Sequence, residues 1–269
     1  TYFAPYLQLV ITKPEAIKML VPLGGARGYF GALEDHYVAT YVQDRWQAYC
    51  EAAWNIQTEW EARGKKSLLQ LSTDDMTRGY DWLQRQGVPH GTWFAVLHVR
   101  ESNNWDHANG RNVALSDYFP AIGEIVERGG WVVRIGNPQM TPMPNLPHVI
   151  DYAYSPDRAD WLDVFLLGGS KFMLGTQSGP VEAAQTFGTP CITTNWQFGF
   201  RRGYDIDTQI FKRYKLNGKM LSMEQALTQR LAFIESPAMF VPGAEVVPNT
   251  PEEIRELVAE WLDCAGSTE

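Results

Sequence analysis

The most constraining feature of this chain is a regular exchange of strand-length apolar runs with helix-length amphipathic segments across residues 92–196. Residues 92–99 (TWFAVLHV) are apolar and β-rich over the length of one strand. A polar loop, 100–112, leads to a helix expected from Ser116, which can cap it. Tyr118, Phe119, Ile122, Ile125 and Val126 give that helix one apolar face, and Gly129-Gly130 stops it. WVVRIG (131–136) and HVIDYA (148–153) read as the next strands, joined by a connection rich in Pro and Met. A helix over 157–167, a strand KFMLGT (171–176), a helix over 179–187 and a strand CITTNW (191–196) complete the series. Such alternation predicts a parallel sheet with helices on both faces.

The flanks are less regular. Thr250 as cap, Pro251 at the first helical position and Glu252-Glu253 in the first turn predict a final helix over 251–264. Residues 197–247 show little periodicity beyond a short helix near 223–235. Before the first strand, 43–63 reads as a long helix and 73–86 as another, with Ser72 to Asp75 as its start. The expected division is therefore a Rossmann-like domain over 90–269, preceded by 1–89 as the remnant of an N-terminal domain with a helical linker. The chain opens at Thr1 rather than Met and reads as mid-domain sequence, as a fragment would.

Bulk properties exclude some classes. A chain of 269 residues with 45% hydrophobic content can bury a full core. A formal charge of -8 argues against non-specific nucleic-acid binding, though a local Arg cluster can still hold an anion. Cys50, Cys191 and Cys264 are odd in number and lack metal-binding spacing, which points to reduced thiols and a cytoplasmic setting. No apolar run reaches the ~18 residues of a membrane span.

Candidate chemistry gathers where the strands end. The turn Gly175-Thr176-Gln177-Ser178-Gly179-Pro180 runs from a strand straight into a helix. The first N–H groups of that helix lack internal partners and the helix dipole adds partial positive charge, so a diphosphate is a natural occupant. Thr176 and Ser178 offer hydroxyls, and Gly179 admits a close ligand. The same turn reads equally well as a plain Ser cap before a core helix. His98-Val99-Arg100 ends the first strand; the Arg100 fork suits phosphate, and His98 faces the same way. A core histidine and a surface ion-pair partner are the plainer alternatives. Asp163 is either a solvated helix acid or a carboxylate able to accept two N–H groups from a guanine edge.

Trp105-Asp106-His107 lies in a loop at this edge and can position an acceptor or supply a base, or simply face solvent. Glu34 and Asp35 are weaker candidates for that base. Asp205-Ile206-Asp207 matches a D-x-D metal motif but stands in an irregular segment, so no metal is expected. Arg134 and Asp151, at strand ends, line the cleft or pair with each other.

His98-Val99-Arg100, with Asp163 fifteen residues before Ser178, resembles the donor site of fucosyltransferases that use GDP-fucose. The resemblance implies that His98 and Arg100 contact the donor phosphates, Asp163 the base, and Ser178 with Gly179 the diphosphate. It departs from that pattern at Glu101 and Asn103, where a second Arg and an Asp are expected; Glu101 beside a diphosphate repels it unless turned away. SGPVEAAQTFGTP is similar to a heptosyltransferase-type turn. Most of the chain, from about Asp75 to Leu262, resembles a bacterial family of GT-B glycosyltransferases associated with surface polysaccharides. The matching blocks are Arg100-Glu101, Arg111-Asn112, Tyr118 to Ile122, Gly129 to Gly136, Phe211-Lys212-Arg213-Tyr214 through Leu221-Ser222, and Asn249 to Ile254.

The resemblance implies an α/β, GT-B-type chain that takes a sugar from a nucleoside-diphosphate donor, a GDP-sugar being favoured, to a glycan acceptor. Arg100, Asp106 and His107 are the catalytic candidates. His98, Arg100, Asp163, Thr176, Gln177, Ser178 and Gly179 are the donor-binding ones. No cofactor is implied beyond the donor nucleotide sugar. The partner is a glycan or lipid-linked glycan, whose lipid would bring the protein to a membrane surface. A nucleotide-sugar epimerase of the same fold and a non-catalytic nucleotide-sugar-binding module are the alternatives.

Overall fold

The computed structural model describes residues 39–42, 45–65, 67, 69–101, 112–196, 204–229, 231 and 241–266. In chain order it has an antiparallel pair, β1 (Ala39–Val42) and β2 (Arg45–Ala48), then α1 (Tyr49–Ala62), α2 (Thr73–Arg85) and β3 (Phe94–His98). Next come α3 (Phe119–Glu127), β4 (Trp131–Arg134), β5 (Val149–Asp151), α4 (Asp160–Gly169), β6 (Phe172–Thr176), α5 (Gly179–Thr186) and β7 (Cys191–Trp196). The rest is β8 (Thr208–Phe211), β9 (Arg213–Leu216), β10 (Lys219–Met220), α6 (Met223–Thr228), β11 (Ala244–Val247) and α7 (Pro251–Gly266).

Six strands form one parallel sheet in the order β5-β4-β3-β6-β7-β8. Counted from β3, this is the 3-2-1-4-5-6 order of doubly wound dinucleotide-binding sheets. The chain builds outward from β3 to one edge, then returns to set β6 against β3. Period-two burial serves both faces. Phe94 and Val96 of β3 pack with α2, α4 and α5, while Ala95 and Leu97 pack with α3 and α7. The expected α/β class, with a Rossmann-like parallel sheet, is the class observed.

Helix α2 is part of this packing. Ser72 caps it by accepting the Asp75 N–H at 3.1 Å. Its Trp82 and Leu83 are buried in the same core as Phe94 and Phe165, each such side chain worth roughly 1.5–3 kcal/mol. Trp82 also donates its indole N–H to Asp157 at 3.0 Å and meets the Tyr152 ring edge-on.

Several boundaries differ from the sequence expectation. Residues 45–48 form a strand, so the helix expected from 43 starts at Tyr49. Ser116 lies inside a 3-10 turn, Leu115–Tyr118, and does not cap α3. The helix expected from 157 starts at Asp160, because the Asp157 N–H goes to Ser155 Oγ in a preceding turn. Within 197–247 the periodicity missed β8 and a small antiparallel sheet, β10-β9-β11, built on short strands. That sheet has its own apolar cluster around Tyr214, Ala226, Leu231 and Ala244. Among the described residues, no helix is long and apolar enough to cross a membrane.

Candidate functional site

Strand order reverses between β3 and β6, and open α/β sheets generally bind ligands in a crevice at the C-terminal ends of such strands. Gly175 lets β3 and β6 approach closely at this point. It pairs with His98 in register, and a Cβ there would stand 2.3 Å from the His98 carbonyl oxygen. One residue on, the buried Thr176 hydroxyl accepts the Arg100 backbone N–H at 2.9 Å. Another bond crosses between Ser178 Oγ and His98 Nδ1, 3.1 Å apart. These two contacts tie the segments after β3 and β6 together.

Ser178 is the N-cap residue of α5, yet its side chain makes no capping bond. The hydroxyl is turned across the crevice to His98 instead. The first N–H groups of α5 thus have no side-chain cap from Ser178, and the helix dipole reinforces their pull on an anion. Among the described residues, a Cβ on Gly179 would meet nothing within 4 Å, so these leave space open beside the start of the helix. Gln177 is buried, 8% exposed, and its Oε1 has no hydrogen-bond partner among the described residues. A buried acceptor left unmatched costs about 1–3 kcal/mol, which a donor on a ligand can offset.

Burial first, then the positive charges of Arg134 and Arg100, lower the pKa of His98 to about 4. It is therefore neutral near pH 7. A serine at a strand-to-helix turn beside a histidine also invites comparison with hydrolytic nucleophiles. Those need a basic imidazole oriented by a carboxylate. Here the charges acting on His98 are cationic, and its basicity is low. A histidine of such low basicity is poorly suited to strip a proton from Ser178.

Arg134, at the end of β4, is fully buried. It donates to Asp151 Oδ1 at 3.0 Å and the Thr141 carbonyl at 3.0 Å, and lies 3.4 Å from Glu101 Oε2. Arg134 and Asp151 thus pair with one another. Asp163 sits in the first turn of α4, half-buried. Burial raises its pKa, opposed by a hydrogen bond from the Tyr152 hydroxyl and by Arg158. Trp105, Asp106, His107, Glu34 and Asp35 lie outside the described residues. Asp207 accepts the Cys191 N–H at 2.8 Å and the Gln185 amide at 2.6 Å. Cys191 begins β7, so this carboxylate is pinned at the sheet edge opposite the crevice.

Sequence reasoning missed a polar group at the end of β7. Asn195 has a left-handed backbone, φ 53°, and exchanges bonds with Asn249: each side-chain oxygen accepts the other's backbone N–H. Tyr118 hydrogen-bonds the Thr194 hydroxyl, and burial pushes its phenol up to about 12. Asn at a strand end tolerates a left-handed turn, which was a usable local signal. Its partner, 54 residues away, had none.

No protein-family model matches this sequence, and no curated protein is similar to it. Among solved structures, one similar chain is a glycosyl transferase family 9 protein from Veillonella parvula DSM 2008. It is 9% identical with a TM-score of 0.45, over 72% of this chain and 53% of that one. The present chain therefore spans about half the length of that structure. Another is Thermosulfurimonas dismutans KpsC, a beta Kdo 2,7 transferase, 9% identical with a TM-score of 0.34, over 100% of this chain and 94% of that one.

Proposed function

We propose that this chain is the donor-binding half of a GT-B-type glycosyltransferase, taking a sugar from a nucleoside diphosphate to a glycan acceptor. The observation that carries the reading is the Ser178 hydroxyl bonded to His98 in place of capping α5, beside the open space at Gly179. That arrangement leaves a helix N-terminus available to an anion at the strand-order reversal. The diphosphate lies against the first turn of α5, with Thr176, Gln177 and Ser178 around it and the Arg100 guanidinium opposite. As the sugar leaves, Arg100 and the helix N–H groups stabilise the charge that develops on the departing diphosphate, chemistry that needs no metal. Asp163 reads the base, with a GDP-sugar the favoured donor. Asp106 and His107 remain the proposed groups on the acceptor side.

A thermal-shift panel of GDP, UDP, ADP, CMP and their sugars tests this proposal. A bound nucleotide at a hundredfold excess over Kd stabilises the fold by about 2.7 kcal/mol. GDP and its sugars are expected to shift the wild type most, and Arg100→Ala to lose most of that shift. No shift with any nucleotide would sink the donor-site reading. An unchanged shift in Arg100→Ala removes that side chain from the site. Conversion of the donor alone to an isomeric nucleotide sugar would favour an epimerase instead.

A further inference from the structure

Glu101 directly follows Arg100, so its carboxylate starts one residue away from the proposed diphosphate site. A negative charge left there would oppose the anion that Arg100 attracts. The structure draws it elsewhere. Glu101 Oε2 accepts the Thr141 N–H at 2.8 Å and lies 3.4 Å from the Arg134 guanidinium. Arg134 stands on β4, in register with Leu97 of β3 on one side and Asp151 of β5 on the other. The sheet order β4-β3-β6 puts Arg134 on one side of β3 and the crevice with β6 on the other. The pull on Glu101 comes from β4 and the connection that follows it. Asp151, which also accepts the Met143 N–H at 2.8 Å, supplies a second carboxylate to the buried guanidinium. Thr141 and Met143 hold the 137–147 connection in place around the cluster.

We propose that Arg134 is a positioning residue for diphosphate binding, drawing the Glu101 carboxylate toward β4 so that its negative charge does not add repulsion at the anion site. The proposal rests on the donor-site reading given above. It differs from a purely structural ion cluster in one respect. What harms binding is the released charge on Glu101, so removing that charge restores binding even when Arg134 is gone.

Calorimetric titration of the chain with GDP and UDP, with thermal unfolding followed in parallel, tests this. Glu101→Gln is expected to bind within about twofold of the wild type, whereas Glu101→Asp, too short to span to Arg134 and still charged, weakens binding about tenfold or more. Arg134→Gln is expected to weaken binding to a similar degree, and Arg134→Gln with Glu101→Gln to return it to within about threefold of wild type. A Glu101→Asp chain that binds like wild type overturns the proposal, as does a folded double variant no tighter than Arg134→Gln alone. Should Arg134→Gln fail to fold, the contrast between Glu101→Asp and Glu101→Gln decides alone. A wild type that binds neither nucleotide overturns the donor site, and this proposal with it. Binding by the wild type with no Asp–Gln contrast overturns this proposal only.

Discussion

His98 carries a measurable pH signature. Its pKa is about 4, against 6.5 for an ordinary histidine, chiefly because burial penalises the imidazolium. The unfolded chain thus holds the proton more tightly than the folded one. This contribution to stability is fully present above pH ~6.5 and is lost as pH falls toward ~4, by about 3 kcal/mol in all. Urea denaturation at a series of pH values should show that slope. His98→Asn, which keeps a polar partner for Ser178 but does not titrate there, should flatten it. An equal slope in both proteins would place the proton uptake on another group. His98 was legible in the sequence as a residue facing the ligand edge. Its neutrality was not, because its burial and the approach of Arg134 from β4 depend on segments remote in sequence.

At the scale of elements, the site depends on how closely β3 approaches β6. Gly175→Ala should force the strands apart, since its Cβ falls on the His98 carbonyl, and cost about 1–3 kcal/mol of stability. Gly179→Ala, whose Cβ meets open space, should leave stability within about 0.5 kcal/mol but reduce the nucleotide-induced thermal shift. Finding both effects in one variant and neither in the other would contradict this division between a packing glycine and a ligand-facing one. The elements read well from sequence were those with a strong local signal. The α7 start is one: Thr250 Oγ1 accepts the Glu253 N–H at 3.2 Å, while the Glu253 carboxylate accepts the Thr250 N–H at 2.7 Å. The strands β8 to β11 escaped notice because they are two to four residues long and mostly half-exposed. Ser116 misled because its position before an apolar face satisfied the cap rule while the chain made a 3-10 turn there.

For the molecule as a whole, one face of the sheet is closed by α2 together with α4 and α5. We expect the cooperative unit to begin near residue 69, ahead of the strand-rich region read from residue 90. A chain starting at 69 should keep a single sharp urea transition. One starting at 90 loses Trp82 and Leu83 from the core, roughly 1.5–3 kcal/mol each, and should unfold several kcal/mol more easily or aggregate. Equal midpoints for the two would show α2 to be dispensable. The same layer bears on the site, since Trp82 holds Asp157 and Tyr152 just ahead of α4. The Tyr152 hydroxyl in turn donates to the Ala159 carbonyl and accepts the Ala159 N–H at the start of α4.

By itself the sequence determined the class of this protein, because apolar periodicity, caps and glycine stops are local and each element announces its own period. It also placed His98, Arg100 and the 175–179 turn at strand ends. Only the tertiary structure decided what those residues do to one another. Whether Ser178 caps its helix or reaches His98 depends on a strand 80 residues earlier in the chain. Whether the Glu101 carboxylate meets a cation depends on Arg134 of the neighbouring strand. Both outcomes turn on strand order and on distances of a few ångströms between segments remote in sequence, and no local pattern of residues encodes such distances.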